Sequence, residues 1–267
     1  MSIMLPKIDF AFKLLFGDER SKNILTDFLK AVLPELADEE FEELTIVDPH
    51  LKREYSGGKL EILDVKIRTA SGKIINIEIQ IAAIPEMRER ISYYMANMIT
   101  AQIGSGGHYG ELKQAVSIVI TDFDFIPETK RYHTVFLMLE KKEHFPFNGL
   151  MEIHVLSLAR LPDDADGRLA DWLKFLKAEN EEEFKMLAEK NPVINEAYCK
   201  LQAMSDDEAN RMLYEARLKA QRDEYSRIQG ARREERWEVA LNFKRMGIPV
   251  EQIVRGTGLS SEDIAKL

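Results

Sequence analysis

The chain has 267 residues, 45% of them hydrophobic and 31% charged, the balance of a folded globular protein rather than a disordered one. No apolar run reaches the roughly 18 residues needed to cross a bilayer, and the N-terminus lacks a basic segment followed by a long apolar one, so neither a membrane partner nor a secretory leader is expected. The single cysteine, Cys199, excludes an internal disulfide and an unaided zinc site and points to the cytoplasm, while a net charge of −9 argues against a large non-specific nucleic-acid footprint without excluding a local basic groove.

Residues 7–33 show helical spacing in two stretches. Ile8, Phe12, Leu15 and Phe16 form the first; Ile24, Leu25, Phe28, Leu29 and Val32 form the second, after Gly17 and before the closing Pro34. A strand is expected around Leu44 to Asp48, followed by a β-hairpin over residues 60–81, LEILDVKIRTASGKIINIEIQI. Residues 86–103 read as a helix with Met87, Ile91, Tyr94, Met95 and Met98 on one side, ended by the glycine-rich GSGGHYG. Residues 114–123 form a short apolar run typical of a buried strand, and residues 133–140 and 150–158 read as two more. This order of helices and strands predicts an α/β fold with a mixed central β-sheet.

After Pro162 the sequence becomes charged and almost wholly helical through residue 245. The close alternation of acids and bases suits a solvated helical face; a homo-oligomer built through these helices is the functional alternative. In the tail, Pro249 starts one short helix, Gly256 and Gly258 interrupt, and Ser260 or Ser261 caps another beside Asp263. A packed helical hairpin fits better than a DNA-reading helix-turn-helix, because the second helix carries no cluster of base-reading side chains. Three segments result: 1–162, 163–245 and 246–267.

The hairpin carries the chemistry. Alternation places Ile62, Asp64, Lys66 and Arg68 on one face of its first strand, and Ile74, Asn76, Glu78 and Gln80 on one face of its second. The other faces are wholly apolar. A three-residue loop, Ala70-Ser71-Gly72, suits a type I turn followed by a left-handed glycine. That register pairs Thr69 with Lys73, Arg68 with Ile74, Lys66 with Asn76 and Asp64 with Glu78. Opposed residues have Cβ atoms about 4.5–5.5 Å apart, so two carboxylates face each other. A shared proton or a cation would relieve their repulsion, and carboxylate and carbonyl oxygens suit Mg²⁺ or Mn²⁺ better than zinc. The competing arrangement pairs Asp64 with Lys66 or Lys59 and leaves Glu78 in solvent. The five histidines, His50, His108, His133, His144 and His154, show no ligand spacing.

An Asp on one strand, a turn, and a Glu two residues before a water-positioning side chain on the next strand resemble the core of the PD-(D/E)XK nucleases. The resemblance is closest to their branch of transposases and recombination-promoting nucleases. It is carried by DFAFKLLFGDERSKNILTDFLKAVLP, LDVKIRTASGKIINIEIQI, RERISYYMANMITAQIGSGGHYGELKQAVSIVITDF and the tail MGIPVEQIVRGTGLSSEDIAKL. It implies a restriction-endonuclease-like sheet flanked by helices, followed by an all-helical C-terminal region. It also implies a Mg²⁺- or Mn²⁺-dependent endonuclease acting on DNA, with Asp64 and Glu78 as catalytic metal ligands and the Ile79 carbonyl as a third. Gln80 falls where the wider superfamily has Lys. Gln holds a water by hydrogen bonds but brings no charge, and Lys66 on the face of Asp64 is a candidate to supply it. The helix after Glu78 lines the cleft in this family, which makes Arg90 and Tyr94, four residues apart, candidates for the substrate backbone; Lys13, four after Asp9, is another. The alternative function is a weakly active or inactive nuclease-fold module that binds DNA or protein.

Overall fold

A computed structural model describes residues 3–38, 43–47 and 64–267. The expected Asp48 end of the first strand, His50, Lys59, Ile62 and Leu63 lie outside the described residues, and for Asp64 the description is confined to the backbone. Packing divides the chain into two compact units, residues 1–214 and 215–267.

The first unit is built on a six-stranded mixed sheet. Its strands are β1 (Glu43–Val47), β2 (Asp64–Arg68), β3 (Ile74–Gln80), β4 (Ala115–Thr121), β5 (His133–Leu137) and β6 (Met151–Ser157), in the order β1-β2-β3-β4-β6-β5. The first three form an antiparallel meander. β3, β4 and β6 run parallel, and β5 returns antiparallel at the edge. Parallel strands need both faces covered. This explains the near-continuous apolar runs of β4, buried throughout, and β3, buried from Ile74 to Ile79.

The hairpin adopts the expected register, with Arg68 opposite Ile74 and Lys66 opposite Asn76. The turn enforces it. Thr69 N donates to the Lys73 carbonyl at 3.0 Å, Gly72 N donates to the Thr69 carbonyl at 2.8 Å, and Gly72 has φ +86°, open to glycine at no steric cost. The two faces differ from expectation in their surroundings. On β3 both are buried, because α3 (Met87–Thr100) lies over the face of Ile74, Asn76 and Glu78, whereas Arg68 at the end of β2 is exposed. Met95 and Met98 pack on Ile74 and Ala115, while Met87 and Ile91 pack on Val119.

Gly17 separates α1 (Asp9–Phe16) from α2 (Lys22–Val32), as the spacing implies. Composition and packing part company after Pro162. Within the first unit α4 (Arg168–Lys177) packs on α2, α6 (Pro192–Asp206) packs on α1 and α2, and α5 (Glu181–Lys190) packs on α4 and α6. An aromatic cluster joins them: Phe16 and Phe28 contact Trp172, which meets Phe175, which meets Phe184. Asp27, buried on α2, accepts from Trp172 Nε1 at 2.8 Å and pairs with Arg168. The charges of this region sit on the outward sides of helices whose inward sides are apolar.

The remaining helices are α7 (Glu208–Arg245), α8 (Val250–Thr257) and α9 (Ser261–Ala265). In the second unit, Ala240, Ile253, Leu259 and Ile264 make a small core. Ser260 Oγ accepts from Asp263 N at 3.1 Å and Gly258 is left-handed at φ 68°, the caps expected between the two short helices of the tail. Among the described residues no helix is long and apolar enough to cross a membrane.

The turn gives the first prediction. A Cβ at Gly72 would need the left-handed region and would meet Lys113 Cγ at 3.1 Å. Gly72→Ala is expected to cost about 1–2 kcal/mol, the penalty of forcing an L residue into that region, measured as a lowered urea midpoint at unchanged slope.

Candidate active site

β3 passes under α3, and this places Glu78. Its carboxylate is 3% exposed, so the arrangement in which it faces solvent does not occur. Two donors converge on the same oxygen: Arg90 Nη2 and Gln80 Nε2 each donate to Glu78 Oε1 at 2.8 Å. Arg90 comes from the first turn of α3, where its N–H donates to the Glu86 carbonyl, and Glu86 enters the helix at φ 57°. Gln80 reaches Glu78 because residues two apart share a strand face. An ionised carboxylate only accepts, so the Gln80 amide nitrogen turns toward it and the amide oxygen is left to accept from another group.

Burial pushes the Glu78 carboxyl above the usual glutamate range, and the charge of Arg90 with the bonds from Gln80 and Arg90 pulls it back. Arg90 also lies over the ring of Tyr94, 5.4 Å from its centroid. Tyr94 is 39% exposed and stands edge-on to the more exposed Tyr93. Arg90 therefore links a buried carboxylate to an aromatic pair at the surface. Glu78, Gln80, Arg90 and Tyr94 form one connected group, whereas the sequence alone left Arg90 and Tyr94 open between cleft and surface or core.

Three further candidate residues sit on elements that flank this group. Lys66, half-buried, sits opposite Asn76, two rungs from Glu78 on the same face. Lys13 is half-buried on α1, which packs on β2 and β3. Asp64 begins β2 opposite Val47 of β1. The described β2–β3 ladder ends at Val65 opposite Ile77, and the next rung in that register is Asp64 with Glu78. The Gln80 carbonyl accepts from Asp122 N at the end of β4, so alternation turns the Ile79 carbonyl the other way, toward β2.

These donors match a hard divalent cation in type: a carboxylate whose Oε2 receives neither of the bonds from Arg90 and Gln80, and a backbone carbonyl directed to the strand bearing a second acid. Among the described residues no group of three or more His, Cys, Asp or Glu side chains could hold a metal. The match therefore rests on Glu78, the Ile79 carbonyl and the backbone position of Asp64.

The sequence model of the PD-(D/E)XK nuclease family transposases matches residues 6–231. The chain belongs to this family. Its sheet with flanking helices and helical C-terminal region is the restriction-endonuclease-like α/β architecture, and membership points to a nuclease-type function. Neither a curated protein nor a solved structure matches the chain. In this PD-(D/E)XK protein, the bond from Arg90 to Glu78 has one sequence signal, an arginine one turn into the helix that follows the strand.

Two histidines also join a polar chain. With His133 Nε2 as donor to His154 Nδ1 at 2.9 Å, His154 Nε2 donates to Glu152 Oε1 at 2.8 Å, and Gln114 Nε2 donates to Glu152 Oε2 at 2.7 Å. Burial first, and the neighbouring His154 second, push the His133 imidazole down to about 4.

Two predictions follow from these charges. Arg90→Ala leaves Glu78 buried without its cation, at a cost of about 1–3 kcal/mol. It raises the folded-state pKa of Glu78 further above the unfolded value, so the folded form takes up protons more readily than the unfolded one. The cost is therefore full at high pH and shrinks as pH falls and Glu78 protonates, which denaturant melts of both proteins at pH 8 and pH 5 measure. His133 is shifted the other way: neutral in the fold and more basic when unfolded. Its contribution is present above pH about 6.5 and is lost as pH falls toward about 4. His133→Gln is expected to flatten that part of the stability–pH curve.

Proposed function

We propose that the protein is a metal-dependent DNA endonuclease that hydrolyses phosphodiester bonds, with residues 1–162 supplying the nuclease site. Family membership supports the reaction class. The observation that carries the assignment is Glu78: a carboxylate buried on a central strand, bonded by Gln80 and Arg90. Burying a charge there costs free energy that an apolar residue would not, which is the signature of a functional acid.

In this reading Asp64, Glu78 and the Ile79 carbonyl hold Mg²⁺ or Mn²⁺. When bound, the ion supplies positive charge against the scissile phosphate and its leaving oxygen. Gln80 keeps its amide nitrogen on Glu78 and uses its amide oxygen to orient the attacking water. Arg90 fixes the rotamer of Glu78, and with Tyr94 and Lys66 it contacts the DNA backbone; the Lys13 Nζ is buried, which takes Lys13 out of that set. Gln80 contributes no charge to the transition state, so that stabilisation falls to the ion and the nearby cations.

A second reading has support from Arg90 itself. Its guanidinium already neutralises Glu78 at 2.8 Å, an arrangement that also suits a non-cutting module that binds DNA or protein. Plasmid nicking separates the two. The nuclease requires Mg²⁺ or Mn²⁺, stops with a chelator, and loses at least ~100-fold in Asp64→Ala and Glu78→Ala, the scale of removing one preorganised electrostatic contact. Equal nicking by all three proteins contradicts the assignment of these acids. Plasmid retention without nicking by any of them favours the module.

A further inference from the structure

We propose that the outer edge of β5 is a self-association surface, on which a second copy of this chain pairs antiparallel and extends the sheet across a two-fold axis. β5 ends the strand order, with only β6 beside it among the described residues. Ser157 N donates to the Tyr132 carbonyl, Phe147 N to the Met138 carbonyl and Glu140 N to the Phe145 carbonyl. The even-numbered residues thus bond inward. By alternation, the N–H and C=O groups of His133, Val135, Leu137 and Leu139 point to the bare edge.

Edge strands of monomers are normally guarded by Lys, Pro, a bulge or a charge. Here no residue from Thr134 to Leu139 is charged and none is proline. Val135, Phe136, Leu137, Met138 and Leu139 are all exposed, on both faces of the strand. Phe145 and Phe147, on the limb that returns toward β6, add to the patch, and exposure across the set lies between 41% and 74%. Scaled to full areas of the order of 150–250 Å² for large side chains, these fractions come to about 600 Å² per copy. A standard interface takes about 800 Å² from each partner, and the largest patch on an ordinary monomer is about 300–600 Å². Backbone pairing and the flanking contacts make up the difference.

A second copy is the occupant that the strip's own sequence favours: Val135 to Leu139 is uncharged and apolar, so it meets itself without a like-charge contact, which the rest of a chain carrying −9 does not. A two-fold axis makes the same strip both halves of the contact. With the axis at Phe136, Val135 faces the partner's Leu137 and Phe136 faces its own counterpart, so the apolar residues match along the strand.

Light scattering on the full chain at micromolar concentration is expected to give twice 30.8 kDa. Leu137→Lys, a change at an exposed position, is expected to halve that mass with an unchanged circular dichroism spectrum. Phe136→Cys in a Cys199→Ser background tests the contact directly, because opposed cysteines on paired strands come within disulfide reach; an interchain disulfide is expected on mild oxidation. A monomeric wild type overturns the proposal. So does a Leu137→Lys protein that stays dimeric, which would move self-association to the helical segments, and so does failure of Phe136→Cys to cross-link.

Discussion

The buried negative charge of Glu78 organises the candidate site. Glu78 lies on the third strand of the sheet, on a stretch buried on both faces, where little water reaches it. Arg90 and Gln80 replace that water, each at 2.8 Å. Much else serves the same end. The Gly72 turn fixes the register of the strand that carries Glu78. The parallel pairing of β3 with β4 buries that strand. The methionines of α3 clamp the helix over it, and this brings Arg90 within reach. An ion pair of this kind adds little to stability when compared with a packed apolar pair. Its retention on a strand buried from Ile74 to Ile79 is best understood through what the carboxylate does.

Much of this was legible in the sequence, for identifiable reasons. Side-chain alternation and the loop chemistry of Ala70-Ser71-Gly72 determine which residues oppose one another, and both are local. The polar run Asn76, Glu78, Gln80 was therefore visible as one face. What covers that face was not. Period-two alternation distinguishes faces but says nothing of their surroundings, and the bond from Arg90 to Glu78 depends on the angle at which α3 leaves the strand. The two residues are twelve apart, with no local rule connecting them.

The charged helices after Pro162 give a second example. Composition marks them as a solvated region. Yet Trp172 and Phe175 enter the core beneath α1 and α2, and Asp27 reaches across 145 residues to Trp172. An apolar stripe on a short, charged helix is easily outvoted in any window average, which is why the change of composition does not mark the end of the packed unit. The uncharged edge of β5 is the converse. Its sequence reads as a strand, but only the sheet order shows that one of its edges has no strand beside it among the described residues.

The account turns on Asp64 and Glu78 acting as one site for a divalent ion. Titration of the wild-type protein with Mn²⁺, followed by electron paramagnetic resonance of the free ion and set beside Asp64→Asn, tests this most directly. The account predicts a saturable site in the wild type whose affinity falls at least ~10-fold in the variant, since a neutral amide replaces an anionic oxygen donor. Equal binding by the two proteins, or none by the wild type at millimolar Mn²⁺, would contradict it.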